Sequence, residues 1–125
     1  MFTLPYGQHR FTNVWCLDSK DDGGAHHEYV VTDVEETNEA VALGDCAVFA
    51  SVSFQKGPVK EAGKNGCFME DLLHICQHRL ECFQAGPFAC QENAEALDYI
   101  TKALEALNRR TRSRQQRGVE GANQL

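Results

Sequence analysis

Arg110, Arg114 and Arg117 recur at i, i+4 and i+7, a spacing that puts three guanidinium groups on one face of a helix. Guanidinium forks bind phosphate and carboxylate through paired hydrogen bonds, so this stripe reads as a binding site for a small anionic ligand. A solvated helix end with cations against its dipole is the plainer account of the same residues. His74 and His78 lie at i, i+4, a spacing that can hold zinc, with Cys67 and Cys82 not far away in sequence. The neighbours Asp71, Gln77 and Glu81 make that face more simply a solvated one. His26-His27 has no helical context and a weaker claim still, so no metal is expected. Gly57 to Lys64 invites comparison with a P-loop but has five residues between its glycines, and Asn65 follows the lysine where Ser or Thr should bind magnesium. No H-E-x-x-H, G-x-S-x-G or paired H-x-S/T motif is present. The chain is therefore expected to be neither an enzyme nor a cofactor carrier.

The elements that must position the arginines follow from periodicity. Met69, Leu72, Leu73, Cys76, Leu80 and Phe83 recur at helical offsets, and Gly86-Pro87 ends that run. A second helix runs from about Phe88 with Ala94, Leu97, Ile100, Leu104 and Leu107 on one seam, and continues to Arg117 before Gly118. With only Ala85-Gly86-Pro87 between them, the two helices must be antiparallel neighbours. The first is about 17 residues long and the second nearly 30, so the second overhangs beyond Leu107. The arginine stripe continues the apolar seam onto that overhang.

The first 55 residues read as β-structure: alternation over 9–17, β-branched residues over 28–34, and a third strand over 46–54. Asp21-Asp22-Gly23-Gly24 and Gly44-Asp45 are turns, and 37–43 is a short helix or an irregular crossing. The expected class is α+β, a small N-terminal antiparallel β-sheet followed by a C-terminal antiparallel two-helix hairpin. The divisions are 1–55 for the meander, 56–67 for a Gly/Pro/Lys connecting loop, 68–118 for the hairpin and 119–125 for a tail.

The chain has 125 residues, 42% hydrophobic and 24% charged, which suits one globular domain or a domain with an appendage. Nothing approaches a membrane-spanning length, and no signal-peptide pattern opens the chain, so a cytoplasmic protein is expected. Six cysteines without C-x-x-C spacing are expected to be reduced, with Cys76, Cys82 and Cys90 packed as small core residues. Net charge is −6 but unevenly spread. Residues 1–108 hold 7 Lys and Arg against 17 Asp and Glu, whereas residues 109–125 hold five Arg and one Glu. An acidic body repels a long polyanion, so DNA or RNA is not an expected partner, while a small anion is.

Several motifs then form a pattern: Phe54-Gln55-x-Gly57-Pro58-x-Lys60-Glu61, Asn65-Gly66, and Arg79-Leu80-x-x-Phe83-Gln84-x-Gly86-Pro87-Phe88-Ala89-Cys90-x-Glu92-Asn93. Arg110-Thr111-x-x-Arg114-x-x-Arg117-Gly118-Val119-Glu120-Gly121 completes it. The segment from Phe54 to Gly121 resembles phage proteins that share the hairpin domain of Thoeris anti-defence protein one and anti-CBASS protein two. The β-rich first half looks like the larger, Thoeris anti-defence, member. The resemblance implies a protein that sequesters cyclic nucleotide immune signals without cleaving them. Glycocyclic ADP-ribose is the larger member's ligand, and cyclic di- and trinucleotides are bound within the family.

By the same resemblance the ligand-site positions are Phe83, Asn93, Arg110 and Arg114, built where two subunits meet. Lys60 and Asn65 match a second site for cyclic oligonucleotides. The implied setting is the cytoplasm of an infected bacterium, and the implied assembly a homodimer or, as in some relatives, a hexamer. A hydrolase of such signals, or a phage regulatory protein using the basic helix end, are the alternatives. Lys64 and Ser113 replace the Val and Asp common in relatives, which bears on ligand preference. From the residues alone, core packing accounts for Phe83 and a first-turn polar position for Asn93. Stacking on a base and hydrogen bonding to a base edge are the functions the resemblance gives them.

Overall fold

The computed structural model describes residues 1–5, 11–34 and 47–118. The expected crossing over 37–43, the turn at Gly44-Asp45, Cys46, the start of the first expected strand and the tail over 119–125 lie outside those residues. The protein is α+β and falls into two units, Met1–Gly57 with Ala62–Cys67, and Pro58–Glu61 with Phe68–Leu125.

The first unit is a four-stranded antiparallel meander: β1 (Phe2–Thr3), β2 (Thr12–Cys16), β3 (Glu28–Asp33) and β4 (Val48–Ser53), in that spatial order. Three of these strands are expected, β2 and β4 from alternation and β3 from its β-branched residues; β1 is too short to show a period. Trp15 pairs with Val30 and Asn13 with Thr32, which places Trp15, Val30 and Thr32 on one face. All three are buried, and the Trp15 Nε1–H donates to Thr32 Oγ1 at 3.1 Å, so the indole is buried with its polar atom satisfied. Between β3 and β4 the register skips Phe49, since Val31 faces Ala50 and Thr32 faces Val48. This is a β-bulge on the edge strand.

The β2–β3 turn is held by carboxylates. Asp21 Oδ1 accepts the Gly23 N–H at 2.9 Å, and Gly24 takes a left-handed φ of 84° that suits glycine. Asp18 accepts the backbone N–H groups of His27 and Glu28, closing the loop at its base. Burial works to raise the Asp18 pKa, but these backbone donors and the neighbouring His27 outweigh it and hold the carboxyl below its ordinary value.

After β4 the chain loops out and returns, and Phe54 makes a parallel bridge to Cys67. Gly66 sits at the closest approach. A Cβ there would lie 2.5 Å from the Phe54 carbonyl carbon and 2.7 Å from the Gln55 nitrogen, so only glycine fits. The segment expected to be an unbroken loop contains a one-turn helix, α1 (Val59–Ala62), which starts straight after Pro58.

The second unit is the expected hairpin of α2 (Met69–Gln84) and α3 (Gln91–Gln116). Helix α2 begins where the Asp71 carboxylate accepts the Phe68 N–H at 2.9 Å, half of a capping box. Helix α3 begins three residues later than its pattern suggests, because the Cys90 thiol caps it by accepting the Asn93 N–H at 3.4 Å. Neither long helix has a buried residue. The expectation that Cys76, Cys82 and Cys90 are packed as core is therefore corrected: all three are exposed. A hairpin of two helices offers each only one covered stripe, and Cys90 lies in the turn rather than on that stripe. All five described cysteines are free thiols. No described helix is long and apolar enough to cross a membrane.

Candidate functional site

The hairpin turn is braced before it can present anything. Gln84 spans it with both ends of its amide: Oε1 accepts the Cys90 N–H and Nε2 donates to the Cys90 carbonyl, each at 3.1 Å. The Ala85 and Gly86 N–H groups close onto the carbonyls of Glu81 and Phe83. Glutamine is a good helix former and reads in the sequence as an ordinary last-turn residue, so this clamp on a backbone six residues away is not visible there.

Phe83 and Asn93 both stand at this end. Phe83 is half-buried, with the Arg79 guanidinium carbon 5.0 Å above its ring. Such a cation–π contact fixes the ring plane and leaves a positive charge beside it. Arg79 and Phe83 are four residues apart on α2, a helical spacing, yet Arg79 carries no role in the sequence reading. Asn93 is half-buried in the first turn of α3, and its Nδ2 donates to the Phe88 carbonyl at 3.4 Å.

Arg110 and Arg114 stand at the other end. Arg110 is exposed and Arg114 half-buried, in the last turns of a helix that runs unbroken from Gln91 to Gln116. Pairing outward from the turn, Met69 reaches only about the level of residue 106, so both arginines lie beyond their partner helix. Asn93 and Arg110 are 17 residues apart on α3, about 25 Å, and Asn93 and Arg114 about 31 Å. Within one chain the hairpin thus brings Phe83 together with Asn93, and Arg110 with Arg114, but not one pair with the other.

Lys60 and Asn65 fall in different units. Lys60 is exposed on α1. Asn65 is committed to its own loop: Oδ1 accepts the Lys56 N–H and Nδ2 donates to the Lys56 carbonyl, both at 2.8 Å. Gln55 completes this knot, accepting the Asn65 N–H at 3.0 Å and donating to the Gly63 carbonyl at 2.7 Å. The Asn65 amide shapes the loop. Among the described residues no third ligand group joins the His74–His78 spacing: His74 bonds to Gln77 and His78 lies 3.7 Å from the Cys82 thiol, both pairs exposed.

A small antiparallel sheet followed by a helical hairpin, with an aromatic turn and an arginine end, defines an α+β protein of the helical-hairpin kind. The description of the hairpin domain of Acb2/Tad1 matches residues 49–112, just over half of the chain. The chain belongs to the Acb2/Tad1 hairpin-domain family. It is similar to Thoeris anti-defense 1 of Bacillus phage SBSphiJ7, with 49% identity over 75 residues, which is 60% of this chain and 53% of that protein. The matched segment therefore spans about half the length of the curated relative. The family match contains Lys60, Asn65, Phe83, Asn93 and Arg110, and ends before Arg114.

Proposed function

We propose that this chain is a phage anti-defence protein that binds and sequesters a cyclic nucleotide immune signal without cleaving it. The ligand class is a glycocyclic ADP-ribose, with cyclic di- and trinucleotides as further candidates. The observation that carries the proposal is an arginine end on the hairpin of a family whose similar member is named Thoeris anti-defense 1.

Such a ligand presents an adenine, hydroxyls and a pyrophosphate, and the four positions suit it chemically. Phe83 would stack on the base, Asn93 would hydrogen-bond to its edge, and Arg110 and Arg114 would take the phosphates. The separation of about 25–31 Å along α3 makes a single-chain site impossible for one small molecule. The turn of one hairpin would then meet the arginine end of another, in a homodimer with two equivalent composite sites, or in a hexamer built from such pairs. Hairpin helices without a buried residue support the same assembly, because their apolar stripes gain cover from a second copy.

Energetics favour an enclosed site. A sequestering protein needs a Kd around nanomolar, about −12 kcal/mol. Stacking contributes ~1–3 kcal/mol and each charged hydrogen-bonding arginine ~1.5–3 kcal/mol, at most about 9 kcal/mol before the cost of association. Water exclusion and backbone donors between two chains would supply the remainder. Lys60 and Asn65 each match a family position for cyclic oligonucleotides, and Asn65 would act there through the loop shape it holds. The acidic balance of residues 1–108 disfavours a long polyanion such as DNA or RNA, and the place of action would be the cytoplasm of the infected bacterium.

The test is to incubate the protein with glycocyclic ADP-ribose, remove unbound ligand, denature by heat and identify what is released. Intact ligand is the expected result; altered ligand would mean a hydrolase, and none would favour an interaction role for the basic end. The double variant Arg110→Ala with Arg114→Ala should lose at least a hundredfold in affinity while keeping its circular-dichroism spectrum. Retained affinity in that variant would place the site elsewhere.

A further inference from the structure

The turn between β2 and β3 brings together three side chains of different chemistry that the hairpin does not involve. Cys16 ends β2 and is fully buried; Asp18 follows it; His26 returns from the far side of the turn. The Cys16 thiol lies 3.7 Å from the Asp18 carbonyl oxygen and 3.8 Å from Asp18 Oδ1. His26 Nδ1 lies 2.7 Å from the same carbonyl and 3.9 Å from the same carboxylate oxygen. One ligand atom from each of the three residues lies within 4.8 Å of the others.

We propose that Cys16, Asp18 and His26 form a site for a divalent transition cation of the zinc class. Zinc–sulfur and zinc–oxygen or –nitrogen bonds of about 2.3 and 2.0–2.2 Å put tetrahedral ligand atoms about 3.4–3.6 Å apart. The 3.8 Å sulfur–Oδ1 separation exceeds that by about 0.2 Å and the 3.9 Å Nδ1–Oδ1 separation by about half an ångström, a closure that side-chain rotation can supply. The Asp18 carbonyl oxygen accepts the His26 Nδ1–H at 2.7 Å, too close for both atoms to sit on one tetrahedral ion, so a water would take the fourth position. Thiolate, imidazole and carboxylate together are a borderline-soft set that suits zinc over calcium or magnesium.

The surroundings hold these donors as a metal site requires. The Asp18 carboxylate is oriented by the His27 and Glu28 N–H groups. Its other oxygen lies 3.6 Å from His27 Nδ1, while His27 Nε2 is fixed on Asp21 at 3.0 Å. The Phe2 ring packs edge-on against the His26 imidazole, with centroids 5.7 Å apart. Bracing of the loop accounts for Asp18 and for the bond from His26 to the Asp18 carbonyl. It does not require the buried Cys16 sulfur and the His26 Nδ1 both to lie within 4 Å of Asp18 Oδ1.

Binding balances simply. The Cys16 thiol gives up its proton to solvent and ligates as thiolate, and the His26 imidazole ligates through Nδ1 with its one proton on Nε2, breaking the Nδ1–H bond to the Asp18 carbonyl. A +2 cation meets two anionic ligands, so one proton is released per ion. The ion would clamp β2 to β3 across the turn. This departs from the sequence expectation, which weighed His26-His27 without the strand that carries Cys16 to it.

The experiment uses the full chain, stripped with a chelator and dialysed, then titrated with Co2+ and next with Zn2+. The expected result is one equivalent of Co2+ with a thiolate-to-cobalt band in the near ultraviolet, displaced by one equivalent of Zn2+. Zn2+ should also raise the thermal midpoint. Cys16→Ser and His26→Gln should each weaken Co2+ binding at least tenfold and cancel that rise. The triple variant His74→Gln, His78→Gln, Cys82→Ser should behave as the parent. Because Cys16 is fully buried, its replacement can unfold the sheet; His26→Gln, on a half-buried side chain, then carries the test, with circular dichroism as the check on folding. No saturable band at one equivalent, or a band that survives in the folded His26→Gln variant, would overturn the proposal.

Discussion

The sheet unit and the hairpin unit are built from similar lengths of chain, yet only the sheet has buried side chains among its described residues. Trp15, Cys16, Val30, Thr32 and His27 are all buried there, while α2 and α3 bury nothing. The hairpin is nevertheless the more regular of the two, with a cleaner sequence pattern. Regularity of backbone and possession of a core are separate properties: helices satisfy their own hydrogen bonds, whereas a sheet of short strands must be held by what its face packs on. The sheet is expected to stand on its own interior, and the hairpin on contacts with a second copy.

The largest test of that contrast is Trp15→Ala. It removes the main side chain of the sheet interior and strands the Thr32 hydroxyl, at an expected cost of about 3–5 kcal/mol. Urea unfolding followed by circular dichroism, at several protein concentrations, should show a loss independent of concentration. A loss below about 1 kcal/mol would mean that the indole does not organise the unit.

Next in size is Leu104→Ala on the α3 seam. Leu104 is only half-buried, so packing within one chain limits the expected cost to about 1–2 kcal/mol. If hairpins pair, the same change should cost about 2–5 kcal/mol and lower a thermal midpoint that itself rises with protein concentration. A midpoint flat over a hundredfold range of concentration would remove the dimer from the proposal, and with it the composite site.

The two units also differ in how much of them shows in the sequence. The hairpin is legible because its apolar residues keep a helical period and Gly86-Pro87 breaks it. Its limits were less so, since Cys90 is an unusual N-cap whose role depends on the turn that Gln84 clamps. The strands β2 and β4 are legible from alternation, β3 from its β-branched residues, and the β2–β3 turn from Asp21-Asp22-Gly23-Gly24. Strand β1 has two residues and helix α1 four, too few for any period. The distance between the aromatic and arginine ends could be counted along one helix before any coordinates. Convergence could not: Cys16 and His26 are ten residues apart, and Asn65 finds its partner in the backbone of Lys56, nine residues back.

Asn65→Ala addresses that last contact. The amide makes two 2.8 Å bonds to Lys56 in an exposed loop, so its loss should cost about 1–2 kcal/mol. Unfolding by urea measures this. If Asn65 acts only by shaping the loop, Asn65→Asp should recover part of the stability, since a carboxylate can still accept the Lys56 N–H. An unchanged stability in Asn65→Ala would show that the Gln55 bonds hold the loop alone.

The smallest expected effect is a pH dependence confined to the sheet unit. Glu28 on β3 accepts hydrogen bonds from Lys56 Nζ at 2.8 Å and from Ser53 Oγ at 2.6 Å. The Lys56 and Ser53 bonds together outweigh the cost of partial burial and hold the Glu28 carboxyl below its ordinary 4.5. A lowered folded pKa means that the ionised form is favoured by folding. The contribution is therefore fully present above about pH 4.5 and is lost as pH falls through the lower folded value. The pair is largely solvent-exposed, so screening keeps the effect small and should shrink it further at high salt. Stability measured from pH 6 down to pH 3 should fall less steeply in Glu28→Gln than in the parent. Equal slopes in the two proteins would assign the acid sensitivity to other carboxylates, Asp18 first among them, because its backbone donors hold it down in the same way.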